Sequence, residues 1–206
     1  MKPDRHQDSR PPLGRAELPN DAASLARYLI GKLVVRELPE GVASGRIVET
    51  EAYVVGDAAG HAYRGMTRRN HSLFLERGHA YVYLAYGRSY MLNVSSEMPG
   101  IGAGVLIRAL EPLEGIPIMK LNRGMDRLRD LARGPGRLAA ALRVDRRLDG
   151  LDLCREGPLW LSSDEHEELS ELGQSIRIGI SREADRLLRF YIRNSPFVSG
   201  PRSLNE

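Results

Sequence analysis

Residues 45–55 read GRIVETEAYVV. A run this rich in Val, Ile and Thr, alternating apolar and polar positions, reads as a β-strand. Alternation puts residues 47, 49, 51 and 53 on one face and residues 48, 50, 52 and 54 on the other. The second face is apolar apart from Thr50, so it belongs to a core. The first sets Glu49 and Glu51 side by side, next to Tyr53. Buried polar groups need partners, so two acids side by side on a buried-looking strand require an explanation.

The flanking sequence supplies the rest of a sheet. NDAASLARYLIG (20–31) reads as a short helix, with Asp21 as its cap, Leu25, Tyr28 and Leu29 as its apolar side and Gly31 as its end. KLVVREL (32–38) is a strand. GDAAGHAYRGMTRRNHSLFLERG (56–78) is a long loop, and loops of this length inside compact domains are usually functional. HAYVYLAYGRSYMLNVSS (79–96) reads as a β-hairpin with a two-residue type II′ turn at Gly87-Arg88. AGVLIRALEP (103–112) is a further buried strand. A helical region follows over about 113–143, broken at Pro117, Gly124 and the Gly-Pro-Gly at 134–136. Short strands are expected around 158–162, 176–180 and 187–193. The pattern predicts an α+β fold: a single domain over 18–206, mainly antiparallel β-sheet, with a protruding β-hairpin and surrounding helices. Residues 1–17, polar and Pro-containing, read as a flexible tail.

With 206 residues the chain is long enough to bury a real core. No apolar run approaches the roughly 20 residues that cross a bilayer, and the N-terminus lacks the apolar segment of a signal peptide. One cysteine, Cys154, excludes a disulfide framework within the chain and a Cys-rich metal site. These features fit a reducing cytoplasm. The net charge is only +3, yet 27 of the 30 basic residues are Arg, whose planar fork grips phosphate two bonds at a time. A GC-rich coding sequence accounts for much of that bias but not for its placement. Residues 120–147 carry nine basic and three acidic groups, and residues 149–171 carry one basic and eight acidic. This asymmetry suits a polyanion on one surface and a solvated acidic face elsewhere.

Several side chains ask for an explanation. Tyr86 sits beside the hairpin turn, where it either packs across the strands or serves as a wedge between DNA bases. Tyr53, Tyr81, Tyr83 and Tyr90 form a cluster of rings that serves equally as core packing or as a stacking site for a flat heterocycle. His61 lies in the long loop. Asn93 and Arg108 interrupt apolar strands and need partners, with Glu51 or Glu49 the candidate for Arg108, a pairing that holds the acid ionised. The scattered histidines show no metal-ligand spacing, so no metal is expected. No P-loop ending is present, and GIGAG (100–104 region) precedes its strand, the wrong order for a dinucleotide turn. No cofactor is implied.

Taken in order, GRIVETEAY, a following loop His, RRN, YVYLAYG, MLNVSS, VLIRALEPLEG and GPGRL resemble the blocks of the alkyladenine (3-methyladenine, or methylpurine) DNA glycosylases of the mammalian type. The resemblance covers about residues 18–200. It implies a monofunctional glycosylase of base excision repair. Such an enzyme flips alkylated or deaminated purines out of double-stranded DNA and hydrolyses the N-glycosidic bond. By the same resemblance Glu51 is the general base, with Arg108 held near it and the water. Tyr53, His61, Tyr83 and Asn93 match the base pocket, with Asn93 set against guanine's amino group. Tyr86 matches the residue that enters the duplex. Arg64, Arg68 and Arg69 in the loop, and Arg137 in the basic stretch, are the expected backbone-phosphate contacts. The three lysines, Lys2, Lys32 and Lys120, lie away from these positions, so a Schiff-base lyase step is not expected. A monomer is expected, since one DNA lesion needs one site, with no membrane engagement; the expected location is cytoplasmic and nucleoid-associated in a bacterium or nuclear in a eukaryote. Two rivals make different demands. A non-catalytic lesion-binding protein keeps the Arg surface and Tyr86 but releases no base. A small-molecule hydrolase such as a nucleosidase keeps the acid and rings but needs neither Tyr86 nor the basic stretch.

Overall fold

The structure is a computed structural model that describes residues 10–163 and 171–205. Its centre is an antiparallel sheet of eight strands: β1 (Leu33–Leu38), β2 (Gly41–Tyr53), β3 (Ala80–Ala85), β4 (Ser89–Ser95), β5 (Gly104–Glu114), β6 (Leu159–Ser162), β7 (Leu172–Ser175) and β8 (Arg189–Ile192). The order across the sheet is β3-β4-β5-β2-β1-β6, with β8 pairing with both β2 and β7. Three α-helices accompany it: α1 (Ala22–Tyr28), α2 (Ile116–Arg123) and α3 (Pro135–Ala141). This is the expected α+β class with one antiparallel sheet.

Helices and sheet share one core. Leu25, Ala26 and Leu29 of the α1 region and Leu138 and Ala139 of α3 cluster with Ala52, Val105 and Ile107 of the sheet. The Asp21 carboxylate caps α1, accepting from the Ser24 N–H at 2.8 Å, as its position before the apolar run predicts. Thr50, the polar residue of β2's inner face, donates its hydroxyl to the Ala26 carbonyl at 2.9 Å. The opposite sheet face carries Glu49, Glu51, Arg108 and Arg189.

A bulge sets which residues share that face. Register shifts flank Glu49 in the β2–β5 ladder: Ile47 pairs with Leu110, Glu49 with Ala109 and Thr50 with Ile107. Val48 and Arg108 are the extra residues, and each shift turns side chains over locally. Ile47 therefore joins the helix-side core rather than the face of Glu49 and Glu51, while Val48 packs with Ala109, Tyr191 and Val198. Strict alternation fails here, and the ladder shifts register once more at Ser44/Gly45.

Other expectations are corrected locally. Residues 10–17 are bound to the domain, so ordered structure starts well before residue 18. Leu13 is buried, its N–H donates to Leu161 O at 2.9 Å, and Trp160 Nε1 donates to Arg10 O at 2.9 Å. Residues 1–9 of the expected tail, and residues 164–170 of the acidic stretch, lie outside the described residues. Pro117 begins α2 rather than breaking a helix, because the first turn has no intrahelical N–H to lose. The hairpin turn centres on Tyr86-Gly87, not Gly87-Arg88. Ala85 and Ser89 are the last pair, Arg88 N–H donates to Ala85 O at 2.9 Å, and φ is 49° at Tyr86 and 67° at Gly87. Positive φ at both central residues is the type I′ pattern. Finally, residues 176–180 are not a strand; β7 ends at Ser175. The N–H of Ile178 goes to a carboxylate, and Arg177 turns inward, so neither serves a ladder.

Candidate active site

The sheet register assembles the site. Tyr81 of β3 stands opposite Asn93 of β4, Asn93 opposite Leu106 of β5, Leu106 opposite Glu51 of β2, and Glu51 opposite Arg189 of β8. Directly opposed residues share a face, so one row across five strands presents these side chains together. Above the row lies a cavity of about 350 Å³, lined by Tyr53, His61, Tyr81, Tyr83, Asn93 and Arg108. That size falls in the range of about 300–1,000 Å³ usual for small-molecule pockets. Tyr86 stands at its rim, 93% exposed.

Glu51 is fully buried and does not itself line this cavity, but its partners Tyr53, Arg108 and Ile178 do. Oε1 accepts from the Ile178 N–H at 2.7 Å and faces Arg108 Nη1 at 3.2 Å. Oε2 accepts from the Tyr53 hydroxyl at 3.0 Å. Burial and then the charge of Glu51 push the Tyr53 hydroxyl far above the usual tyrosine range, so it stays a donor. Arg108 also donates from Nε to Glu49 Oε1 at 2.8 Å. Sequence left Glu51 and Glu49 as alternative partners; the bulge lets Arg108 reach both. Burial works against the Arg108 charge, and Glu51 and Glu49 outweigh it, raising its pKa.

The walls are aromatic. Tyr81 and Tyr83 stack at 5.3 Å between centroids, and the His61 ring meets Tyr83 edge-on at 4.4 Å. His61 Nδ1 shares a hydrogen bond with the Tyr81 hydroxyl at 2.9 Å. His61 is exposed as a residue, yet its ring is crowded by these tyrosines; that desolvation, with the charge of Arg69, holds its pKa below the ordinary histidine value. Asn93 fixes its amide by donating to Tyr81 O at 3.0 Å. Asn70 anchors the loop under His61, donating to His61 O at 2.8 Å.

Two buried arginines escaped the sequence reading. Arg177 pairs with Asp57, donates to Ala52 O at 3.0 Å and lies over the Tyr53 ring at 4.7 Å. Arg189 donates to Glu49 Oε1 at 2.7 Å. Both interrupt apolar runs, IRIGI and LRFYI, by the same signal that singled out Arg108. Of the expected phosphate contacts, Arg64 and Arg69 line a second cleft of about 380 Å³, with Arg182, that shares His61 and Tyr81 with the first. Arg68 is exposed on the same loop and lines neither cavity. Arg137 is exposed on α3, 3.4 Å from Asp130.

A family model described as methylpurine-DNA glycosylase (MPG) matches residues 16–196. The chain belongs to this family. It is 76% identical over 199 residues to a protein of Mesorhizobium japonicum named "Putative 3-methyladenine DNA glycosylase", covering 97% of this chain and 95% of that one. Proteins of the same name from Paraburkholderia phytofirmans and Methanoculleus marisnigri are 53% identical (97% and 93% covered) and 43% identical (87% and 94% covered). The chain is accordingly a DNA glycosylase, a hydrolase of DNA repair that acts on DNA. Its cavity and the basic loop beside it are the features to be matched to that substrate.

Proposed function

We propose that this glycosylase removes alkylated and deaminated purines, of the 3-methyladenine, 7-methylguanine, hypoxanthine and ethenoadenine class, from double-stranded DNA, with Glu51 activating the water. The observation that carries the reading is the buried Glu51 carboxylate held by three residues that line the aromatic cavity, Tyr53, Arg108 and Ile178.

A base inside a duplex cannot reach such a cavity, so the nucleotide rotates out. Tyr86, exposed at the rim, fills the gap that it leaves. The purine stacks among Tyr53, Tyr83 and His61, each stacking contact contributing about 1–3 kcal/mol. Asn93 reads the purine edge and disfavours guanine's amino group. The glycosidic bond then opens through an oxocarbenium-like sugar, as in glycoside hydrolysis generally. The N9–C1′ electron pair leaves with the purine, water oxygen bonds to C1′, and Glu51 takes the water's proton. Arg108 orients the carboxylate and balances its charge. A cationic alkylated purine leaves neutral without further help; neutral hypoxanthine needs a proton on N7. The product is an abasic site in an intact strand, made by a monomer, since one lesion needs one cavity.

The test is base release from a labelled duplex carrying one hypoxanthine or one ethenoadenine, and from methylated DNA. Strand cleavage only after alkali is the expected result. Absence of release from all three substrates contradicts the reading, and cleavage without alkali contradicts its monofunctional part.

A further inference from the structure

The charges buried beside Glu51 exceed what one base requires. Glu49 and Arg189 are fully buried, neither lines the cavity, and the reaction proposed for Glu51 uses neither. They continue a chain of alternating charge. Glu51 Oε1 faces Arg108 Nη1 at 3.2 Å, Arg108 Nε lies 2.8 Å from Glu49 Oε1, and Arg189 Nε lies 2.7 Å from that same oxygen. Glu49 Oε2 accepts from the Ser199 N–H at 2.7 Å. Arg189 is held at its far side by Ser175 Oγ at 2.8 Å, Leu204 O at 2.9 Å and Asn205 Oδ1 at 2.6 Å. Well-packed apolar side chains often serve stability as well as buried ion pairs do, so stability alone does not account for this arrangement.

Arg108 serves two carboxylates, and its shorter contact is to Glu49. An arginine given to Glu51 alone would stabilise the anion and weaken it as a base. We propose that Glu49 and Arg189 are positioning residues for the reaction: Glu49 shares Arg108 with Glu51 and so leaves Glu51 an effective base, and Arg189 fixes Glu49 in place. The proposal rests on the reading of Glu51 as the base. The groups that face Glu51 are Arg108 from β5, Arg189 directly opposite on β8, Tyr53 from its own strand, the Ile178 N–H and Tyr83. Those that face Glu49 are Arg108, Arg189 from β8 and the Ser199 N–H. Burial works to raise the Glu49 pKa, but the two guanidiniums and the amide more than offset it, and Glu49 stays charged.

The test is the pH profile of single-turnover 7-methylguanine release from methylated duplex DNA. This base leaves as a neutral molecule from a cationic purine, so the acid limb reports the base rather than protonation of the substrate. Glu49→Gln turns Arg108 wholly to Glu51. The acid limb is expected to move to lower pH by about 1 unit or more, and the plateau rate to fall by roughly tenfold or more. Circular dichroism and lesion binding verify that the variant is folded. Should the single variant not fold, Glu49→Asp keeps the buried charge but draws the carboxylate back from Arg108, and it predicts a smaller shift in the same direction. A folded variant with its acid limb in the wild-type position, whatever its rate, overturns the proposal. Glu51→Gln separates this result from failure of the underlying reading. An active Glu51→Gln sinks that reading, whereas an inactive Glu51→Gln with an unmoved limb in the Glu49 variants sinks only the positioning role.

Discussion

Tyr86 carries a φ of 49° while 93% exposed, a conformation that costs a bulky residue energy and returns no packing. Strain of this kind is kept where a side chain is needed for something outside the fold. Tyr86→Gly is therefore expected to stabilise the protein slightly, by about 1 kcal/mol or less in urea denaturation. The same change should weaken binding to lesion-containing duplex by about 1–3 kcal/mol, roughly 5- to 150-fold in Kd. A variant less stable than wild type with unchanged affinity would reverse both expectations. Glu49 gives a second prediction at this scale. Its pKa in the folded protein is below the ordinary 4.5, so its stabilising contribution is complete above that pH and is lost as pH falls through the folded value. The urea midpoint of wild type should drop below about pH 4.5, and Glu49→Gln should flatten that acid slope. At residue scale much of the site was legible. Polar groups in apolar strands must find partners, which singled out Arg108 and Asn93. The same rule reaches Arg177 and Arg189, but the sequence cannot say which carboxylate each one finds, because the pairings cross more than 100 residues.

The elements that frame the cavity are joined by ion pairs as well as by ladders. Arg177, just past β7, pairs with Asp57 of the long loop; both side chains are wholly buried, and the guanidinium lies over Tyr53. Asp57 also accepts from the Ala59 N–H at 2.9 Å, which shapes the loop toward His61. Asp57→Ala leaves a buried guanidinium unpaired and is expected to destabilise by about 3–5 kcal/mol. Thermal and urea unfolding check this, and a loss below 1 kcal/mol would show that the pair does not tie loop to sheet. Element type followed from local pattern: the capped α1, the strands flanking the ETEAY run and the hairpin all agree with their periodicity. Two of the failures involve a backbone group or side chain claimed by a distant partner. Ile178 gives its N–H to Glu51, so no strand forms at 176–180. Val48 and Arg108 bulge out of register, so Ile47 changes face. The turn at Tyr86-Gly87 hides in the sequence because it places a tyrosine where glycine or asparagine is the usual choice.

At the scale of the whole molecule, net charge is a poor guide to the DNA-facing surface. The basic stretch 120–147 spends many of its cations internally. Arg127 and Arg137 meet Asp130, Arg143 meets Glu40, Arg146 meets Asp149 and Arg147 meets Asp145. Arg129 and Arg133 donate to the carbonyls of Pro196 and Val198. The loop between β2 and β3 differs: Arg64 and Arg68 make no ion pair among the described residues, and Arg69 touches the hairpin at Leu84 O, two residues from Tyr86. Arg64 and Arg69 line the second cleft, and Arg69 ties that loop to the hairpin below Tyr86. If these arginines neutralise phosphates, log Kd plotted against log salt should lose about 0.9 of slope for each one removed. Arg64→Gln/Arg68→Gln should then flatten the line by roughly 2 units, while Arg137→Gln should leave it nearly unchanged. The reverse order would move the interface to α3. The face was only half legible from composition, because sequence counts charges and folding decides which are already matched.

The most direct test of the account is single-turnover release of hypoxanthine or ethenoadenine from a labelled duplex by wild type and by Glu51→Gln, with lesion binding measured in parallel. The account predicts that Glu51→Gln binds the lesion and loses release by about 10²- to 10⁴-fold. Release at the wild-type rate by Glu51→Gln would contradict it and turn attention to Glu49, the other carboxylate on Arg108.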